Sequence, residues 1–161
     1  MTQDKTYHLA QANIALGAET VDHPSMESFT QQIDEVNKVA DKSPGFVWRF
    51  QTDEGDATSL IIYDDPRYIF NMSVWESVEA LRQYAFTARH LRVLQQQKEW
   101  FVKIDRPHSV LWWIPAGTIP SVSDALERLE VLRDQGPGPR AFTFASLYDP
   151  HGVPMTAGKS S

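Results

Sequence analysis

An asparagine and a tryptophan, four positions apart in a predicted strand, are suited to recognising a flat aromatic molecule. Apolar and polar residues alternate between Tyr68 and Trp75, so Asn71 and Trp75 are predicted to share one face. An indole stacks on an aromatic ring, and an amide hydrogen-bonds a phenol or carbonyl oxygen and stabilises negative charge developing there. The alternative is structural, with Trp75 in the core and Asn71 satisfying nearby backbone groups.

A histidine in a predicted helix, His90, directly follows Arg89. An imidazole that titrates near neutral pH can remove a phenolic or carbon-bound proton, and a guanidinium can hold the resulting anion. Adjacent helical residues point about 100° apart, so both side chains cannot face one pocket squarely. The alternative is a half-buried histidine that hydrogen-bonds a neighbouring loop.

Further aromatic side chains are candidates for lining the same pocket, namely Tyr84, Trp48, Trp113 and Tyr7. The tyrosines offer hydroxyl groups and the tryptophans offer flat apolar surface, although most of the four are expected to pack in the core. Arg49 follows Trp48 in a predicted strand, so only one of these two can face the pocket if the strand is regular.

Other common catalytic motifs are absent from the sequence. The chain has no cysteine, and His8, His23, His108 and His151 have neither helical i, i+4 pairing nor a carboxylate at metal-site spacing. The glycines and prolines of 136–139 lack the spacing and the amides of a phosphate loop, and no serine nucleophile elbow is present. We therefore expect no metal site.

Hydrophobic periodicity and turn residues predict the elements that position these residues. The predicted strands are 7–14, 46–50, 68–75, 109–115 and 141–148, and the stretch 60–63 is either a minor strand or part of a loop. The predicted helices are 26–40 behind a Ser25 cap, a helix capped by Ser77 that continues as a second helical stretch over 87–102, and 124–133 behind a Ser123 cap.

This order, β-α-β-β-α-β with an appended α-β, predicts an α+β fold with a ferredoxin-like core, in which helices cover one side of an antiparallel sheet. No further helix is expected to cover the other, strongly apolar face, so two sheets are predicted to pack together in a homodimer. We expect a single domain over 7–148 and a flexible tail over 149–161.

Charge and hydropathy exclude several classes of partner. Fifteen Lys and Arg against 21 Asp and Glu give a net charge of −6, which opposes binding to nucleic acid or anionic lipid. The sequence shows no signal core and no apolar run close to the roughly 20 residues of a membrane-spanning helix. We therefore expect a cytoplasmic protein without nucleic acid or membrane partners.

Several segments resemble an uncharacterised bacterial family of the dimeric α+β-barrel superfamily. They are Asn71 to Leu81, His90, Trp100-Phe101, Leu111 to Gly117 and Ala141 to Phe144. The resemblance covers roughly 7–144 and is most specific in the first of these segments. It implies a dimeric α+β barrel related to cofactor-independent monooxygenases of antibiotic biosynthesis, which oxidise polycyclic phenols with molecular oxygen. Other superfamily members are isomerases, cyclases, haem enzymes and stress-response proteins, so the fold alone fixes no function.

The leading hypothesis is a small dimeric enzyme that oxidises a hydrophobic aromatic or polyketide-like molecule without a cofactor. His90 would be the general base, Asn71 and Arg89 would stabilise the anion, and Trp75 and Trp113 would shape the cavity. The alternatives are a non-catalytic ligand-binding or stress-response dimer and a cofactor-free isomerase or cyclase. Haem bound through His90 stays open because some relatives of this fold bind haem, but no cofactor-specific motif supports it.

Overall fold

The computed structural model describes residues 6–20, 23–50, 62–92 and 101–155, with backbone alone for 28–35, 88–92 and 101. The strands are β1 (Tyr7–Gly17), β2 (Phe46–Arg49), β3 (Tyr68–Trp75), β4 (Phe101–Val102) and β5 (Ser109–Pro115). A 3-10 turn (Pro24–Met26) precedes the helices α1 (Glu27–Lys42), α2 (Val78–Arg92) and α3 (Val122–Gln135). The predicted mixed α+β class is confirmed.

The sheet is built around β1, which is central and antiparallel to its neighbours. It pairs with β3 from Leu9 opposite Trp75 to Leu16 opposite Tyr68, and β2 pairs with the far side of β3. Both β4 and β5 pair with the other edge of β1. The resulting order, β2-β3-β1 and then β4 with β5, is compatible with a ferredoxin-like fold.

The outer edge strand is interrupted between β4 and β5. Leu16 lies opposite Val102, whereas Asn13 lies opposite Ser109, so residues 103–108 loop out of the sheet. The prediction that a helix continues through Val102 was therefore wrong. Pairing with β1 decides the conformation of this pair, because local helical periodicity is a weaker constraint than a hydrogen-bonded strand partner.

Side-chain caps determine where α2 and α3 begin, whereas α1 follows Met26 without a side-chain cap, so the predicted Ser25 cap was wrong. Ser77 Oγ accepts a hydrogen bond of 3.1 Å from the Ala80 amide, as its predicted role as a cap requires. The cap of α3 is Ser121 rather than the predicted Ser123. Its Oγ accepts from the Asp124 amide at 3.0 Å, and the Asp124 carboxylate accepts from the Ser121 amide at 3.0 Å. This reciprocal pair satisfies two free amides and starts the helix earlier than expected.

One sheet face, which we call the α3 face, packs against helix α3. Its core includes Ala10, Ile14, Phe70 and Trp112, each at most 2% exposed, together with Leu129 of the helix. The expectation that no helix would cover this second face was wrong, because the appended helix folds back onto it. The argument for a dimer built on an uncovered sheet face therefore no longer holds, and the homodimer itself stays a prediction.

The segment after α3 forms turns rather than the predicted strand 141–148. Phe142 exchanges two backbone hydrogen bonds with Leu111 of β5, at 2.8 and 2.9 Å, and the bridge extends no further. Within the predicted tail, the Asp149 amide donates to the Val153 carbonyl and the Met155 amide donates to the Leu147 carbonyl, both at 2.8 Å. Residues 149–155 are thus held in a hydrogen-bonded turn.

Candidate functional site

The sheet face opposite α3 carries a polar centre. Gln11 and Asn13 of β1 lie directly opposite Ser73 and Asn71 of β3, respectively. Since opposed residues of an antiparallel pair project to the same side, these four side chains form one group, which we call the amide patch. Next to it, a hydrophobic cluster packs this face against α1 and α2 through Leu9, Ala40, Trp75, Leu81 and Leu111.

Gln11 is the centre of the hydrogen bonding in the amide patch. Its Nε2 donates to Asn71 Oδ1 and to Ser73 Oγ, both at 2.8 Å. Its Oε1 accepts from Asn13 Nδ2 at 3.4 Å. Ser73 Oγ also accepts from Trp75 Nε1 at 2.7 Å. Five side chains from two strands are thus joined in one network.

Burial increases along this network. Asn13 and Asn71 are half-buried, whereas Gln11 is 9% exposed, Ser73 is 5% exposed and Trp75 is fully buried. Solvent therefore reaches the two asparagines while the other polar groups rely on one another. Buried polar groups are costly unless they are hydrogen-bonded, so the network is rigid where it is deep and open where it meets solvent.

Trp75 closes the deep end of the patch. Its ring stacks on Tyr84 of α2, with 4.8 Å between centroids and 22° between planes, and Phe46 packs edge-on at 5.4 Å and 75°. The indole N–H is used by Ser73. In this arrangement a ligand cannot stack on Trp75 unless Tyr84 moves, so the indole positions Ser73 rather than offering an open surface.

Two other predicted residues lie on this face but away from the amide patch. Trp113 is opposite Leu9 and donates its indole N–H to the Tyr148 carbonyl at 2.7 Å. Tyr7 lies at the end of β1, where its ring packs edge-on against His151 at 6.1 Å. Both side chains stabilise the C-terminal turn in this structure.

Trp48 and Arg49 resolve the choice that the sequence left open. Trp48 packs in the α3-face core, so the structure does not bring it together with Asn71. An irregularity between Phe46 and Trp48 places Arg49 opposite Ser73, on the side of the amide patch. There the Arg49 guanidinium pairs with Asp41 of α1, with Nε 2.9 Å from Oδ1.

Arg89 and His90 belong to α2. Their side chains lie outside the described residues, so their roles stay predictions. The patch residues that sequence reasoning missed are Gln11, Asn13 and Ser73. Polar side chains at every second position of an apolar strand, matching those of β3, are the signal that could have found them.

Within the described ranges, no three His, Asp or Glu side chains lie close enough together to share a metal ion. Nor does any helix in these ranges combine the length and apolar content needed to cross a bilayer.

A family model described as a domain of unknown function, DUF3291, matches residues 8–157. The chain belongs to this family. A family of unknown function agrees with the expectation of an uncharacterised family. The placement in the dimeric α+β-barrel superfamily and the relation to antibiotic biosynthesis monooxygenases stay predictions. No curated protein matches the DUF3291 chain.

Two solved structures resemble the DUF3291 chain. PA3566 from Pseudomonas aeruginosa is 10% identical with a TM-score of 0.45, and the match covers 73% of this chain and all of that one. A candidate monooxygenase from Shewanella loihica PV-4 is 14% identical with a TM-score of 0.35, covering 74% of this chain and all of that one. Similarity at this level supports no argument about activity.

Proposed function

We propose that this DUF3291 protein binds a flat, oxygen-bearing aromatic molecule at the amide patch and oxidises it with molecular oxygen without a cofactor. The observation that carries the proposal is the hydrogen-bonded network that runs from buried Trp75 through Ser73 and Gln11 to half-buried Asn71. Apolar side chains at the same positions would satisfy a sheet face at lower cost. A polar network that opens to solvent at one end is a reasonable ligand site.

Asn71 is the group that would meet the oxygen of the ligand. Its Oδ1 is engaged by Gln11 Nε2, which turns the amide so that its Nδ2 is the free end. Within the described part of the chain, no residue accepts a hydrogen bond from this Nδ2. A preorganised N–H donor stabilises negative charge that develops on a phenol oxygen during reaction.

The proposed reaction needs no reductant beyond the substrate. A phenol that loses its hydroxyl proton and an aromatic hydrogen, and that gains one oxygen atom from molecular oxygen, becomes a quinone, and the second oxygen atom leaves as water. In this proposal His90 removes the hydroxyl proton, and Asn71 together with Arg89 holds the phenolate while it reacts. Gln11 and Ser73 position Asn71.

The test is oxygen uptake by the purified protein with a panel of polycyclic phenols, with quinone formation followed by absorbance. We expect Asn71→Ala to lower kcat by about 100-fold or more, as loss of an oxyanion donor does elsewhere, and His90→Ala to abolish turnover. Asn37→Ala, on helix α1, is the matched control and should leave kcat unchanged. Full activity in both Asn71→Ala and His90→Ala would exclude this mechanism.

A second function, ligand binding without catalysis, is favoured by a different observation. All five side chains of the network are neutral, namely those of Gln11, Asn13, Asn71, Ser73 and Trp75. Among the described residues, no ionisable side chain is hydrogen-bonded to them. Tight binding of a phenol with neither oxygen uptake nor product would support this function. A product formed without oxygen uptake would instead indicate the isomerase or cyclase.

We also propose that the chain forms a homodimer. Because α3 packs on the second sheet face, a dimer would have to use α3 itself or another surface. Sedimentation equilibrium over a range of concentrations tests this, and a mass of one chain throughout would exclude the dimer.

A further inference from the structure

The two half-buried residues of the amide patch form a matched pair. Asn13 and Asn71 are directly opposite each other in the β1–β3 register, so their Cβ atoms are roughly 5 Å apart. Each uses one end of its side-chain amide to bind Gln11. The other end of each amide is therefore the part that a ligand would meet.

Gln11 forces these two free ends to be complementary. Its Nε2 donates to Asn71 Oδ1 at 2.8 Å and its Oε1 accepts from Asn13 Nδ2 at 3.4 Å. The ends turned away from Gln11 are therefore the N–H donors of Asn71 and the carbonyl acceptor of Asn13. If the Gln11 amide turned over, both asparagines would have to turn with it, because each needs the opposite partner. The patch would then still offer one donor beside one acceptor.

We infer that the amide patch selects a neutral, flat ring whose edge carries an N–H donor next to a carbonyl acceptor, that is, a cyclic amide. A ring lactam places both groups side by side and pointing the same way, so it can satisfy the two asparagines at once. A ligand that lacks the donor leaves a site acceptor unpaired, which costs more than the mean value of one hydrogen bond. The inference rests on the proposed function only in taking the amide patch as a small-molecule site.

Charge also favours a neutral ligand over a carboxylate. The network contains no cation, and Arg49 on the same face is held by Asp41. A ligand that is already an anion in the ground state would therefore lose water without gaining a charged partner among the described residues. Arg89, which is proposed to hold the anion formed during reaction, has its side chain outside them. Negative charge can still develop during reaction, when the Asn71 N–H stabilises it.

The test is equilibrium binding of two probes, 2-quinolone and coumarin. They have the same shape and the same carbonyl, but a ring oxygen in coumarin replaces the N–H of 2-quinolone. We expect the protein to bind 2-quinolone at least about tenfold more tightly. In the arrangement described above, Asn13→Ala removes the acceptor and should bring this affinity ratio to about one. Asn71→Ala removes the donor and should weaken binding of both probes equally. Asn37→Ala is the control and should change neither affinity.

The inference is overturned if neither probe binds, if both bind equally, or if both variants keep the preference. Should the variants fail to fold, side-chain amide NMR signals of the unmodified protein provide the second measurement. The side-chain amide signals of Asn13 and Asn71 should shift on addition of 2-quinolone, and the signal of Asn37 should not. Unchanged signals of both Asn13 and Asn71 would contradict the inference. A tenfold preference for 2-quinolone without oxidation of any phenol would exclude the proposed reaction and support this inference. Turnover of a phenol together with equal binding of the two probes would support the reaction and exclude this inference.

Discussion

The side-chain amide of Gln11 lies 2.8 Å from Asn71 Oδ1, although the two residues are 60 positions apart in the sequence. This contact crosses the β1–β3 pair and joins the first strand to the segment with the strongest family resemblance. Because Gln11 also bonds Ser73 and Asn13, it determines which ends of the two asparagines remain available.

Replacing Gln11 by alanine should destabilise the fold by about 1–3 kcal/mol, because buried partners in the patch lose their hydrogen bonds. Urea unfolding followed by tryptophan fluorescence measures this. Gln135→Ala, at the exposed end of α3, is the control and should stay within about 0.5 kcal/mol of the parent. Equal stabilities of the two variants would show that the network contributes nothing to folding.

The two tryptophans that donate hydrogen bonds on this face should respond differently to substitution by phenylalanine. Trp75→Phe removes the donor to Ser73 and leaves a gap under Tyr84, so we expect a loss of about 2–4 kcal/mol. Trp113→Phe removes the half-buried bond to Tyr148 and should cost about 1–2 kcal/mol. Ligand affinity should fall in the first variant and not in the second, and the opposite pattern would place the site near the C-terminal turn.

Gly45 should tolerate alanine far less well than Gly117. Both have positive φ angles, +80° and +92°, but a Cβ on Gly45 would overlap the Ala80 Cβ of α2, whereas one on Gly117 meets nothing within 4 Å. We expect about 1–2 kcal/mol from backbone strain in Gly117→Ala and about 2–4 kcal/mol in Gly45→Ala once the clash is added. Thermal unfolding ranks the two, and equal losses would mean that α2 can move away.

The C-terminal turn should loosen in acid. Hydrogen bonds from the backbone amide of Val153, and then of His151, hold the pKa of Asp149 below its usual 3.8. A lowered folded-state pKa gives stability that is complete above the usual value and is lost as the pH falls through the folded value. The Val153 amide should therefore be protected from hydrogen exchange at pH 6 and lose protection below about pH 4.

The control for this titration is Asp149→Asn, which keeps the acceptor oxygen and removes the charge. Its Val153 protection should not change between those pH values. Acid loosening in this variant equal to that of the parent would assign the effect to another group.

Local sequence patterns correctly predicted the elements that are marked by residue alternation or by a capping residue. Period-two alternation placed the third strand at Tyr68–Trp75, and the Ser77 cap was predicted correctly. Phe101 and Val102 were wrongly predicted as helix. Their conformation depends on pairing with the edge of β1, which neighbours in sequence do not reveal. The segment 141–148 was likewise wrongly predicted as a strand. Only Phe142 in this segment pairs with β5, and a single bridge does not make a strand.

For the candidate site, the sequence by itself determined that Asn71 and Trp75 share a strand face, since alternation is a property of any extended chain. Tertiary structure decided what surrounds them. Strand register brought Gln11 to Asn71, an irregularity in β2 turned Arg49 rather than Trp48 towards the patch, and α2 covered Trp75 with Tyr84. Register, strand irregularities and helix docking arise from contacts between residues distant in sequence, and no local pattern encodes them.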